Sequence, residues 1–200
     1  MFKTFDKYSS EGVVVSDLGL RGYINLESRG IVPFSLGRAA GKRFGKKRKN
    51  VVERLADKLM VTGHLKDGKA HKRISGRDSG KKQKVMLTMN RSLEIVERKT
   101  KQNPYQVLVR AVENAAPREE TTRIRQGGII AHKSVDVAPQ RRLDLALRFI
   151  SHGAGQRAFK KKTTLESGLA EEIIAAANYD VKTYSVGKRE ELERIAASAR

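Results

Sequence analysis

The chain has 200 residues, with 42 Lys and Arg against 22 Asp and Glu, a formal net charge of +20, and no Cys. That length holds one domain with a real core, and so large a basic excess goes beyond what solubility needs and points to a polyanion, nucleic acid first. The missing cysteine excludes disulfides, a thiol nucleophile and Cys-type zinc sites, no window of about 20 apolar residues could span a bilayer, and Met1 to Asp6 lack the apolar stretch of an export signal, so an intracellular protein without a membrane partner is expected.

Residues 1–49 read as an extended basic N-terminal arm. Its first part is irregular apart from Val13-Val14-Val15 and the apolar patch Tyr23-Ile24-Asn25-Leu26, and reads as an arm that packs on something else. From Gly37 it becomes a Gly-spaced cationic segment with Arg38, Lys42, Arg43, Lys46, Lys47 and Arg48. Such a run cannot bury itself and orders on its partner. Residues 50–200 read as a mainly α bundle of about six helices with a protruding β-hairpin at about 121–137.

Asn50 suits the cap of the first helix, whose inward stripe is Val52, Leu55, Ala56 and Leu59, with Gly63 as its stop. The stretch from Gly63 to Gly80 is a lysine-rich loop. A second helix, from about Lys81 to Arg98, turns Val85, Met89, Leu93 and Val96 inward; Lys84, Arg91 and Arg98, seven apart, share the outer side. Asn103 and Pro104 open the next helix, with Leu108, Ala111, Val112 and Ala115 inward, and Pro117 stops it. Thr121 to Gln126 and Ile129 to Val137 read as strands around Gly127-Gly128, a dipeptide suited to the positive φ values of a primed turn. Arg123 and Arg125 fall on one face of the first strand, Ile124 and Gln126 on the other. Pro139 begins a helix with Leu143, Ala146, Leu147 and Ile150 on one face and Arg141 and Arg148 on the opposite one. Thr163 to Asn178 form another, with Thr163 and Glu166 at capping-box spacing and Leu165, Leu169, Ile173 and Ala177 inward. The last, Lys188 to about Ser198, turns Leu192, Ile195 and Ala199 inward. Glu171, Glu172, Glu190, Glu191 and Glu193 on these end helices would repel phosphates, so they are expected to face away from the polyanion.

No catalytic constellation emerges. Gly63 to Ala70 imitates a phosphate-binding loop, but Ala70 stands where magnesium needs a hydroxyl and no strand precedes the run. His64, His71, His132 and His152 share no ligand spacing, Ser151-His152 lacks a nucleophile elbow, and the five tyrosines are too dispersed for a base-stacking platform. No enzyme, metal or cofactor is expected. A DNA-bending architectural protein is the competing class, since it too joins helices to cationic β-arms. Against it, Gln126-Gly127-Gly128-Ile129 offers only Ile129 as a wedge between base steps.

Several collinear blocks carry a more specific signal. Tyr23-Ile24-Asn25-Leu26, Asn50-Val51-Val52-Glu53-Arg54-Leu55, the run from Glu97 to Pro104, that from Val109 to Glu119, Gly127-Gly128-Ile129, Val135-Asp136-Val137 through Arg141-Arg142-Leu143-Asp144, and Ala170 to Asn178 closely resemble the ribosomal small-subunit protein seven family, in its archaeal and eukaryotic branch. The resemblance implies a non-enzymatic, cytoplasmic ribosomal protein. It implies binding to ribosomal RNA of the 3′ major domain, nucleation of the small-subunit head beside other head proteins, and a position near the messenger exit and the exit-site tRNA. By that resemblance the hairpin tip Gln126-Gly127-Gly128, with Arg123 and Arg125 behind it, approaches tRNA and messenger. Arg141 and Arg142 correspond to the family's basic helix start, and Arg38 to Lys49 match its basic segment in character. With the outer rows, the candidate RNA contacts also include Lys84, Arg91, Arg98, Lys99 and Lys101, then Arg110 and Arg148.

Overall fold

Short-range chemistry starts most of the helices. The computed structural model describes residues 4–5, 7–27, 37, 39–60, 81–159 and 161–200. Arg38 and the loop from Gly63 to Gly80, with its phosphate-loop imitation, His64 and His71, lie outside the described residues. In chain order the elements are α1 (Leu18–Arg21), a 3₁₀ turn (Gly45–Arg48), α2 (Val51–Leu59), α3 (Lys82–Thr100), α4 (Pro104–Ala115), β1 (Glu119–Gln126), β2 (Ile129–Asp136), α5 (Pro139–Ala158), α6 (Leu165–Ala177) and α7 (Tyr184–Ser198). The expected mainly α bundle with one β-hairpin is therefore present, with the short α1 in addition.

The Asn50 side chain accepts the Val52 N–H at 2.8 Å, and that of Asn103 accepts the Tyr105 N–H at 3.0 Å, with Pro104 as first helical residue. At α6 the cap is Thr164, whose hydroxyl accepts the Ser167 N–H at 3.3 Å; Thr163 stands one residue too early. The stripes on α2, α3, α4 and α5 are buried, as are Leu165, Leu169 and Ile173 of α6, and together they form one core. The last helix departs from expectation. It starts at Tyr184, turns Val186 and Ala196 into the core, and leaves Ile195 45% exposed. Leu192 instead packs on a satellite cluster of Val137, Leu145 and Phe149.

The described part of the arm packs on this same chain. Tyr8, Leu20 and Ile24 are buried in the main core. The Val14 N–H donates to the Gln106 side chain at 2.9 Å, and the N–H groups of Ser16 and Asp17 to Glu113 of α4 at 2.6 and 2.9 Å. Burial, with the Glu97 carboxylate at 3.2 Å, pushes the Tyr8 phenol up to about 12. Three apolar anchors explain the docking: apolar area buried on a preformed helix surface offsets the entropy of ordering the arm.

β1 and β2 pair antiparallel from Glu119↔Asp136 to Gln126↔Ile129. Gly127 and Gly128 have φ of 56° and 85°, as a type I′ turn requires. The strands begin two residues before Thr121 because the base is fastened: Val137 N–H donates to the Arg118 carbonyl at 2.9 Å, Arg118 N–H to Glu193 at 2.9 Å, and Arg200 pairs with Glu119. Beyond the base, Arg123 to Arg125 and Ile129 to Lys133 are exposed. Excising residues 123–132 and closing the ribbon with a two-residue turn is expected to change the unfolding free energy by less than about 0.5 kcal/mol in urea titration. Loss of cooperative unfolding would contradict a ribbon that projects from the core.

Candidate nucleic-acid interface

The cationic segment is held against the bundle by its neighbours. The Asn25 side chain donates to the Arg48 carbonyl at 2.9 Å, the Val51 N–H to the Asn25 carbonyl at 2.9 Å, and the Asn50 side chain to the Glu27 carbonyl at 3.0 Å. Residues 45–48 form the 3₁₀ turn, in which Lys46, Lys47 and Arg48 are all exposed. The Lys47 ammonium stands 5.0 Å from the Tyr23 ring centroid and the Arg43 guanidinium 5.1 Å from that of Phe44, which limits their rotamers without neutralising them. Lys42 is exposed beside them.

The turn is joined to α2 and α5 through one carboxylate. Asp144 accepts from Lys46 and, at 3.0 Å, from Arg54, a guanidinium 4% exposed. Burial raises the Asp144 pKa, but Lys46 and Arg54 together overcome this and hold it below the usual Asp value. One turn along each helix, Lys58 of α2 and Arg148 of α5 add two more cations to the group. Lys49 and Lys82, in turn, share Glu53 and Asp57, with Lys82 at 2.6 and 3.2 Å, so the start of α3 joins the same side of the molecule.

The outer row of α3 runs away from this centre. From Lys84 to Arg98 it covers roughly 21 Å. All three of Lys84, Arg91 and Arg98 are exposed, as are Lys101 and Arg110. Arg91 is paired with Glu166 at 3.0 Å and Lys99 with Glu171 at 3.7 Å, so acids of α6 lie against the middle and the far end of the row rather than turning wholly away. Glu172, expected among the surface acids, is fully buried.

Arg141 and Arg142 separate sharply. Arg141 is exposed on α5 and forms a two-bond fork to Glu120 of β1, at 2.8 and 2.6 Å, which orients the hairpin base. Arg142 is 8% exposed and points inward: its guanidinium meets Asp17 at 2.7 Å and the Pro117 carbonyl at 3.2 Å. Reading Arg142 as an RNA contact is thus corrected. It is the stitch that holds α1 to α5, since it lies four residues before Ala146 on the buried face of α5.

On the hairpin, opposed pairs place Arg123 beside His132 and Arg125 beside Ile130, and Ile124 beside Ala131. Arg123 and Arg125 are exposed, and so are the two glycines at the tip. Ile124, Ile129 and Ile130 are 42%, 74% and 51% exposed. The tip thus carries three isoleucines rather than Ile129 alone, because register, invisible in the tetrapeptide, brings Ile124 and Ile130 to the same end.

The chain matches the family model described as ribosomal protein S7p/S5e over residues 27–200. The chain belongs to that family. Among its relatives, the small ribosomal subunit protein uS7 of Nanoarchaeum equitans is 48% identical over 198 residues, covering 99% of this chain and 98% of the relative. The uS7 protein of Methanothermobacter thermautotrophicus is 47% identical over the full length of both, and that of Methanosphaera stadtmanae 48% identical over 198 residues. As an S7p/S5e member the chain is a structural ribosomal protein of the small-subunit kind its relatives name, not an enzyme. Arg54 and Lys58 are the cations of this group that sequence reasoning left out of the candidate set for this S7p/S5e chain. Their signal was available: Arg54 and Lys58, four apart, form a cationic edge on α2, a helix read only for its apolar stripe.

Proposed function

We propose that this protein binds ribosomal RNA of the 3′ major domain, nucleates the head of the small subunit together with neighbouring head proteins, and extends its hairpin tip toward exit-site tRNA and messenger. The observation that carries the reading is the joining of three elements at the single carboxylate of Asp144, which takes Lys46 and Arg54, with Lys58 and Arg148 one helical turn beyond on α2 and α5. Lys42, Arg43, Lys47 and Arg48 continue that surface, and Lys84, Arg98, Lys101 and Arg110 offer further phosphate contacts. Arg91, Lys99 and Arg141 can reach phosphate only by releasing their carboxylates. Such cations neutralise backbone phosphates and release counterions, and A-form RNA, whose deep groove hides base edges, is then recognised by shape.

Binding of head-domain ribosomal RNA is measured across a salt series. Changing Arg43, Lys47 and Arg48 together to Gln is expected to lower the slope of log affinity against log salt by about one unit for each phosphate no longer neutralised, on any RNA sequence. An unchanged slope would remove this segment from the interface. The DNA-bending reading gains from the three exposed isoleucines at the tip, which a minor-groove arm could wedge between base steps. Competition decides it: affinity for duplex DNA equal to or above that for head-domain RNA would favour DNA.

A further inference from the structure

α2 and α5 pack side by side, and the Arg54 to Asp144 bond sets their register. The next turn of α2 carries Lys58 and the next turn of α5 carries Arg148, so each helix has a cation one turn beyond that bond. Lys46 closes the third side from the 3₁₀ turn. Asp144, the largest attractive charge on Lys58, is already held by Lys46 and Arg54.

We infer that Lys58 and Arg148, with Lys46 beside them, form a seat for a single backbone phosphate of RNA, in which Asp144 is the positioning residue. The inference rests on the RNA-binding reading and deepens it by naming one phosphate and its two ligands. Four cations around one carboxylate repel one another until an anion arrives. Lys58 registers that repulsion: burial first, and the charges of Arg148, Lys46 and Arg54 against the pull of Asp144, hold its ammonium below the ordinary lysine value. A phosphodiester between Lys58 and Arg148 would relieve it, while Asp144 keeps Lys46 and the buried Arg54 from collapsing into the seat. The guanidinium supplies a planar fork and the ammonium a point charge, a pairing suited to one phosphate viewed from two sides.

The test compares Lys58→Gln, Arg148→Gln and the double variant on head-domain RNA. Each phosphate neutralised contributes about 0.9 to the salt slope. Because both ligands serve one phosphate, each single variant should lose affinity, and the double variant should lose no more than about one unit of slope in all. A fall of about two units would mean two separate phosphates, and no fall would mean none; either overturns the seat. Lys58→Arg should retain binding. Since Gln at 58 removes a repelled charge, the variant should unfold no earlier than the parent, which separates weaker binding from a weaker fold. A second readout needs no RNA: inorganic phosphate should raise the Lys58 ammonium pKa, followed by NMR, in the parent and not in Arg148→Gln. If sulfate raises it equally in both, only an adventitious ion is bound and the seat is refuted. Failure of the parent to prefer head-domain RNA would instead refute the RNA reading while the phosphate titration still judged the seat.

Discussion

Glu172→Ala is expected to lower the unfolding free energy by about 3 kcal/mol, the range for stripping one partner from a buried charge network. Glu172 of α6 is fully buried. It accepts from Arg157 of α5 at 2.7 Å, and from the N–H and hydroxyl of Ser185 at 3.0 and 2.8 Å. Ser185 lies in the first turn of α7, whose own N-cap residue, Thr183, makes no side-chain cap. The carboxylate therefore serves as a cap supplied by another helix, satisfying an otherwise unmade N–H and facing the positive end of the α7 dipole. Room for it exists because α5 has Gly153 at the contact: a Cβ there would overlap the Glu172 carboxylate. Alanine in place of glycine inside a helix normally gains about 1 kcal/mol. Here Gly153→Ala should destabilise, and in the Glu172→Ala background the same change should regain stability by refilling the space. Urea unfolding of the four proteins gives the coupling directly; additive effects would show that glycine and carboxylate do not meet.

This network also explains which parts of the fold were legible in the sequence. From Asn103 to Ile150 most boundaries rest on local chemistry: Asn103 with Pro104, Pro117, Gly127-Gly128 and Pro139 each act on their own few residues, and only the start of β1, fastened from α7 and Arg200, departs from them. α7 is different. Its true start depends on a glutamate 13 residues before Ser185 folding back onto it, so the stretch before Lys188 offers no local start signal. α1 has a local cap, Asp17 accepting the Gly19 N–H at 2.8 Å, but its entry is also held from afar, since Glu113 of α4 takes the N–H groups of Ser16 and Asp17. The candidate site divides along the same line. Exposed cations such as Lys42, Lys47 and Arg148 follow from composition and helical period. What composition hides is which charge is already spent: Arg91 on Glu166, Arg141 on Glu120 and Arg142 on Asp17 are decided by long-range packing. For Arg142 the period did carry the answer, because four residues before Ala146 is the buried face, but its charge outweighed its position in the reading.

The consequence is a contrast between adjacent arginines. Arg142→Ala is expected to cost about 2 kcal/mol of folding free energy, below the range for a wholly buried pair because Asp17 keeps part of its surface in water. Arg141→Ala, at an exposed pair, should cost less than about 1 kcal/mol. The pH dependence identifies the Arg142 partner. Burial raises the Asp17 pKa, but the hydrogen bond and charge of Arg142, with the N–H groups of Gly19 and Leu20, overcome this and hold it below the ordinary Asp value. A carboxyl whose folded pKa is depressed adds stability in full above its unfolded value, near pH ~4, and loses it as pH falls through the folded value. The stability gap between parent and Arg142→Ala should therefore be widest at neutral pH and narrow in acid as Asp17 protonates. Asp17→Asn keeps a side-chain acceptor for the Gly19 N–H, so it should lose the pH dependence while preserving α1. A gap that stays constant from neutral pH into acid would mean that Arg142 stabilises the fold by packing and its bond to the Pro117 carbonyl, without its charge. Equal loss of salt slope in RNA binding for both arginines, under conditions where each variant is folded, would return Arg142 to the interface.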